Sequence, residues 1–432
     1  RARLSRYSGE KTEQFSFTDE KTVKQVEDAI KASADGILTI GKVEKKQRQR
    51  RPTAPFITST LQQEASRKLG FSARQTMSTA QKLYEGIDVG GGSVGLITYM
   101  RTDSVTLAAE AITEIRALIN SRYGQDNLPD EPRTYQTNTQ NAQEAHEAIR
   151  PTSVARIPAE LESRLNPDQY RLYDLIWKRA IASQMDNAIF DTVGLDLFPG
   201  KNKEGNITFR ATGQVLIKPG FMTVYQEGID DTVKDEKDRI LPPLSEGDHL
   251  NLKELSSEQH FTEPPPRYSE ATLVKELEKC GIGRPSTYAN IISTLRTREY
   301  VELENRRFTP TELGKVVSRF LSGNFPQYVD YEFTAKMEND LDAISRGEGD
   351  WVPLLQEFWE PFHNQIELIR STVTREDQAR SLGDDPKTGR PMTVRMARFG
   401  PVVQIGTKDD EEKPLFAGLR PGQKMDTITH DE

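Results

Sequence analysis

Hydrophobic positions change their period several times along the chain, and each change marks an expected boundary. FSFTDEKTVKQVEDAIKASADGILTI, residues 15–40, reads as strand, helix, strand. In STLQQEASRKLGFSARQTMSTAQKLYEGI, 59–87, Leu61, Ala65 and Leu69, then Met77, Ala80 and Tyr84, recur every three or four residues, the spacing of a helix with one buried face. The glycine cluster DVGGGSVG breaks that pattern and leads into the short β-prone stretch GLITYMR. A further helix is expected over 105–123, with Ala108, Ile112, Ile115 and Ile119 inside and Asp103 or Ser104 as its cap. YRLYDLIWKRAIASQM, 170–185, continues the helical texture, so 53–187 is expected to be one helical domain.

From 188 to 262 the period shortens to the alternation of strands, as in FDTVGLDLF and NITFRATGQVLI. Strands near 36–44 can join the same sheet, which makes 1–52 and 188–262 two parts of one β-rich domain with the helical domain inserted. TEPPPR, 262–267, is a stiff connector. Helices return over 263–371, and 380–432 is glycine-rich and β-prone. The fold class is therefore multidomain α+β.

Composition narrows this picture. A chain of 432 residues divides into roughly two to four domains, and none of its apolar runs approaches the roughly 20 residues of a membrane span. The first residues lack a secretory signal, and the single cysteine, Cys280, excludes an internal disulfide framework, which fits a reducing cytoplasm. The formal net charge is −8, but GKVEKKQRQRRP, 41–52, holds six Lys or Arg against one Glu. Such a run is read first as a solvated connector, with a direct nucleic-acid role second.

Three stretches carry candidate chemistry. In SVGLITYMRTDS, 93–104, an extended backbone puts Tyr99 and Arg101 on one side and Met100 on the other. A phenol has an ordinary pKa of roughly 10, and a neighbouring guanidinium favours phenolate and binds a phosphate oxygen, so the pair suits attack on a phosphodiester. Read alone, the stretch matches a packed aromatic beside a surface ion pair better than a nucleophile. In NAQEAHEAIRP, 141–151, His146 and Arg150 lie four apart on an expected helix and can meet one anion, or form an ordinary charged surface. In YSEATLVKELEKCGIGRPSTYANIISTLRTREYVELENRRFTPTELG, 268–314, helix, turn, helix and hairpin follow the order of a winged helix, with Arg284, Thr287, Arg296 and Arg298 as phosphate donors; such modules also serve protein contacts. HEAIR lacks the second histidine of a zinc site, GDD at 383–385 reads as a turn, and no nucleotide-binding loop or acidic metal motif is present.

Together, GLITYMRTDS, QEAHEAIRP, APFITSTLQQEASRKLGFSARQTMSTAQKLYEG, HFTEPPPRYSEATLVKELEKCGIGRPSTYANIISTL and ENRRFTPTELG…DYEFTAKMENDLDAI closely resemble the bacterial type IA DNA topoisomerases, in the family's order and over essentially the whole chain. The resemblance implies a toroid: a discontinuous β-rich arch, an inserted helical domain with the catalytic tyrosine, a winged-helix-like domain and a small β-rich C-terminal repeat. It implies that Tyr99 attacks DNA and becomes joined to a 5′ phosphate while Arg101 holds the scissile phosphate. His146 and Arg150 would line the DNA site, and Arg284, Thr287 and Arg298 would contact the single strand. The implied activity is ATP-independent relaxation of negatively supercoiled DNA by a cytoplasmic, nucleoid-associated monomer. Mg2+ would be held by an N-terminal Toprim domain that would precede Arg1. On that expectation this chain binds DNA and does not relax it unaided, and it holds neither Mg2+ ligands nor zinc. A non-catalytic DNA-binding or scaffold protein on the same fold is the alternative; a tyrosine recombinase would place its tyrosine late in the catalytic domain.

Overall fold

The structure, a computed structural model, describes residues 1–136, 146–228, 241–372, 379–398, 400–420 and 422–432. It opens on a hairpin, β1 (Arg3–Tyr7) and β2 (Glu10–Lys11), rather than on the strand expected at 15–17. Helix α1 (Glu20–Ala34) follows, its first turn capped by the Asp19 carboxylate, which accepts from the Thr22 amide at 2.8 Å. Strand β3 (Ile37–Arg50) then runs straight through the basic stretch, which corrects its reading as a connector. It is held in register by β6 (Ala188–Pro199) from Leu38↔Pro199 to Arg50↔Ala188. With β7 (Thr208–Lys218) and β8 (His249–Asn251) these strands form a six-stranded sheet ordered β2-β1-β7-β6-β3-β8. Val26 and Ile30 of α1 close a core against Leu38, Ile40, Leu195, Leu197 and Phe209. Because β8 pairs only with Ile37–Thr39, the outer part of β3 has a paired strand on one side alone among the described residues.

Between β3 and β6 lie α2 (Thr58–Glu64), continuous with a π-helical turn at Ala65–Leu69, then α3 (Ala73–Glu85), the short hairpin β4 (Ile87–Asp88) and β5 (Ser93–Val94), α4 (Ala109–Tyr123), α5 (Pro158–Leu161) and α6 (Pro167–Ser183). They enclose the largest core, built on Phe56, Leu61, Leu96, Met100, Ile115, Ile119, Tyr173 and Ile176. Two expectations fail here. Helix α4 starts four residues later than expected, because the Ser104 hydroxyl and Thr102 hydroxyl accept from the Thr106 and Ser104 amides and hold 102–106 in a turn; Glu147 accepts from the Ala108 amide at the true start. Nor is the stretch from His146 to Arg150 helical: Ile149 bridges Phe56 instead, and residues 141–145 of that expected helix lie outside the described residues.

After β8, residues 252–268 carry no helix or strand and lead to α7 (Glu270–Lys279) and α8 (Tyr288–Thr297). A hairpin of β9 (Val301–Glu304) and β10 (Arg307–Pro310) turns at Asn305 and Arg306, both at positive φ as a two-residue hairpin loop requires. Helices α9 (Glu312–Asn324), α10 (Tyr331–Ser345) and α11 (Trp351–Thr372) follow, packed on one another through Phe325, Tyr328, Phe333, Phe358 and Phe362. A four-stranded antiparallel sheet, β11 (Arg380–Asp384), β12 (Pro391–Ala397), β13 (Gly400–Ile405) and β14 (Leu415–Gly418), ends the chain. Among the described residues no helix is long and apolar enough to cross a membrane.

Candidate active site

The segment that carries Tyr99 is clamped from two sides. On one, the Thr98 amide donates to the Arg150 carbonyl at 2.9 Å, the Thr98 hydroxyl donates to the Ala148 carbonyl at 2.7 Å, and the Thr152 amide donates to the Leu96 carbonyl at 3.0 Å. On the other, the Thr58 hydroxyl at the start of α2 donates to the Met100 carbonyl at 2.7 Å and accepts from the Thr102 amide at 2.9 Å. Gly95 completes the approach: a Cβ there would stand 2.6 Å from the Tyr84 carbonyl, so only glycine lets the segment lie this close to the end of α3.

The result separates the neighbours as the alternation predicts. Met100 is 1% exposed, whereas Tyr99 is 44% exposed. Arg101 is exposed and makes no side-chain ion pair or hydrogen bond among the described residues. A packed aromatic with its arginine in a surface ion pair is therefore not what this segment holds. The Tyr99 ring instead meets the edge of Tyr84, with centroids 5.3 Å apart at 64°. Tyr84, expected on the buried stripe of α3, is 42% exposed; Thr76, Thr79, Ala80 and Leu83 supply that stripe.

The other expected residues divide into free and engaged groups. His146 is exposed. Arg150 is not: its guanidinium forks onto Glu147 at 2.8 and 3.2 Å and donates to the Pro151 carbonyl at 2.9 Å. Arg284 is likewise spent on α10, with Asp342 at 2.8 Å, Glu338 at 3.3 Å and the Asn339 side-chain amide oxygen at 3.0 Å. The Thr287 hydroxyl caps the Arg284 amide at 2.8 Å. Arg296 lies 3.8 Å from Glu270. Arg298, at the end of α8, is exposed and has no side-chain partner among the described residues.

Asp103, expected only as a helix cap, joins these groups. Burial raises its carboxyl above the ordinary 3.8; its own amide, His146 and Arg284 oppose the rise, and Asp342 adds to it. One half-buried carboxyl therefore feels both the tyrosine-bearing domain and the α7–α8 module. That module is docked by the Ser59 hydroxyl on Glu278 at 2.7 Å and by Glu270 accepting from the Ala73 amide at 2.6 Å. A carboxyl raised in the folded state holds its proton more tightly there than when unfolded. Its charged form thus lowers stability as pH rises through the raised value. Asp103→Asn is expected to melt above the wild type at neutral pH, with the difference closing as pH falls to about 4, as thermal melts across pH would report.

Among the described residues, no group of three or more His, Cys, Asp or Glu side chains is placed to hold a metal ion.

Residues 2–356 match the family described as DNA topoisomerase. The chain is 52% identical over its whole length to DNA topoisomerase 1 of Xylella fastidiosa, of which it covers 53%. Over 85% of its length it is 53% identical to DNA topoisomerase 1 of Rickettsia bellii, covering 45% of that protein. Among solved structures, full-length topoisomerase I from Thermotoga maritima matches with a TM-score of 0.75 at 32% identity, over 98% of this chain and 64% of that one. The chain thus spans about half the length of the curated relatives it matches.

Proposed function

The chain belongs to the bacterial type IA DNA topoisomerases, and from that we propose that it supplies the covalent half of a cycle that cuts and reseals one DNA strand to relax negative supercoils without ATP. The observation that carries this reading is an exposed phenol, Tyr99, two residues from an exposed arginine without a partner among the described residues, on a segment clamped by Thr58 and by residues 148–152. The Tyr99 oxygen attacks a phosphodiester phosphorus. Its proton leaves to solvent, the bond from phosphorus to O3′ breaks, and O3′ takes up a proton as a free hydroxyl. The strand is then held as a 5′-phosphotyrosine, itself a phosphodiester, so the bond energy is kept and attack by the 3′ hydroxyl reseals the strand. Arg101 holds a non-bridging oxygen of the reacting phosphate, where charge builds.

In this reading residues 1–52 and 188–262 form the arch, 53–187 the tyrosine domain, 263–371 the winged-helix-like domain and 380–432 a C-terminal repeat. His146 and Arg298 meet strand phosphates directly. Arg150, Arg284 and Thr287 act by position, since their side chains hold Glu147, α10 and the α7–α8 turn. The partner is DNA, single-stranded at the cleavage point, and the protein acts as a monomer in the cytoplasm, on the nucleoid. The Mg2+ that the resemblance implies finds no fitting donor set among the described residues, and no step above runs through it.

The polarity of the adduct tests this reading. With the Mg2+-holding domain that the resemblance implies supplied, and after denaturation, a strand labelled at its 3′ end is expected to carry its label into the covalent complex, and a strand labelled at its 5′ end is expected to lose it. The reverse pattern would assign the protein a different cleavage chemistry.

A further inference from the structure

The basic stretch at 41–52 has no part in the site above, and the fold gives it a form that the sequence did not suggest. Lys42, Lys45, Lys46, Arg48, Arg50 and Arg51 are all exposed, on or just past one strand. Side chains alternate along a strand, so Lys42, Lys46, Arg48 and Arg50 share one face with Arg210 of β7, while Lys45 shares the other with Gln47 and Gln49. Of the nearby carboxylates, Glu44 is bound by Lys46 and Arg210, each at 2.7 Å, and Asp196 by Arg210 at 2.7 Å; Asp191, opposite Gln47, accepts from the Gln47 side-chain amide at 3.3 Å and is one negative charge against the row of cations. Lys45, Arg48, Arg50 and Arg51 have no side-chain ion pair or hydrogen bond among the described residues.

A lysine or two is enough to blunt an exposed sheet edge. Six cations in ten residues, three of them arginines, in a chain of net charge −8, exceed that need. The i,i+2 cations of one face stand about 6.6 Å apart and the basic stretch extends about 30 Å, a row that follows a phosphate backbone rather than a compact anion. No residue of 42–51 is aromatic, and Phe190, which stands opposite Arg48, is partly buried against the core of the helical domain, so the stretch itself offers no platform on which unpaired bases stack. Both features favour a duplex, with its dense phosphates and covered bases, over a single strand.

We infer that the outer part of β3 is a second DNA-binding surface, which holds duplex DNA through its phosphates, without sequence preference, apart from the strand engaged by Tyr99. This rests on the reading of the chain as a DNA topoisomerase and adds a contact that the cleavage chemistry does not use. Its role is to retain the duplex that flanks the cut strand, or another duplex, beside the sheet.

The test compares binding of a duplex of about 30 base pairs and a single strand of about 12 nucleotides, as a function of salt, to the wild type and to K45Q/R48Q/R50Q/R51Q. The variant is expected to bind the duplex at least about tenfold more weakly at about 0.1 M salt, with a log–log salt slope shallower by about three to four, and the short strand within about twofold of wild type. The charge-preserving variant R48K/R50K/R51K is expected to keep the wild-type slope. Equal duplex affinity and slope in wild type and glutamine variant overturn the inference and leave the function reading intact. Parallel loss of both DNAs by the glutamine variant, or loss of duplex by the lysine variant, overturns it as well. A wild-type chain that binds neither DNA overturns both.

Discussion

Tyr99→Phe, assayed together with the Mg2+-holding domain that the resemblance implies, is expected to abolish the covalent DNA adduct while binding of a short single strand stays within about twofold of the wild type. The substitution removes one oxygen and nothing that holds the segment. Thr98 is fixed by its amide on the Arg150 carbonyl and its hydroxyl on the Ala148 carbonyl, and Met100 and Thr102 through their backbone groups on the Thr58 hydroxyl. The ring keeps its edge contact with Tyr84, which depends on the aromatic face rather than on the hydroxyl. Among the described residues no hydrogen bond is made by the Tyr99 hydroxyl, so its loss leaves no buried partner unpaired. The measurement is denaturing electrophoresis of labelled strand after incubation, beside a binding titration. Persistence of the adduct would place the nucleophile elsewhere; loss of binding in step with the adduct would make Tyr99 a binding residue.

The position of Tyr99 was readable from its immediate neighbours because strand-like alternation survives over 99–101 without a strand: Met100 enters the core and Tyr99 and Arg101 leave it. It does not extend further back, where Leu96 and Ile97 are both buried and Ile97 bridges Pro151. Tyr84 was misplaced for a physical reason: helical spacing reports which residues share a face, and Thr76, Thr79, Ala80 and Leu83 define a buried face that does not include it. The pairing of His146 with Arg150 failed differently. An i,i+4 argument needs a helix, and this segment bridges Phe56 instead, which frees His146 and turns Arg150 onto Glu147. Asp103 carried no local signal as a link between modules, since Arg284 and Asp342, which share its field, are some 180 or more residues away in sequence.

The discontinuous sheet was legible because both halves show period-two patterning, and β3 and β6 realise it through a single antiparallel register with one irregularity near Gly41. The length of β3 was not. Lysine, glutamine and arginine satisfy no hydrophobic alternation, and strand propensity is low for such a run. Pairing with β6 overrides it: Val193 and Phe190 stand opposite Lys45 and Arg48, so the apolar side of the ladder belongs to β6 and the charged side to β3.

The largest loss of stability is expected from Arg179→Ala, by about 2–4 kcal/mol, or a fall of several degrees in the melting temperature. Arg179 of α6 is 5% exposed and does four things at once. Its Nε donates to the Ala54 carbonyl at 2.6 Å, its Nη1 pairs with Glu227 at 3.0 Å, and its plane lies over the rings of Phe56 at 4.9 Å and Tyr225 at 5.2 Å. The Tyr225 hydroxyl in turn donates to Glu64 at 2.5 Å, and burial raises its pKa so that the proton stays in place. Glu64 also pairs with Arg67 at 3.2 Å and accepts from the Gly228 amide. Alanine would leave the Ala54 carbonyl without its donor and open a void between two aromatic rings, while Glu227, itself exposed, keeps access to water; the cost is the lost packing and the unmade buried hydrogen bond. The network joins α2, α6 and the segment that returns from β7 to the helical domain, so its failure loosens the floor under Thr58 and the Tyr99 segment as well. Arg179→Lys keeps the charge without the planar fork and is expected to fall between the two in a thermal melt. If alanine and wild type melted together, Ala54 and Tyr225 would have to find their partners in water, and the network would be an exposed one.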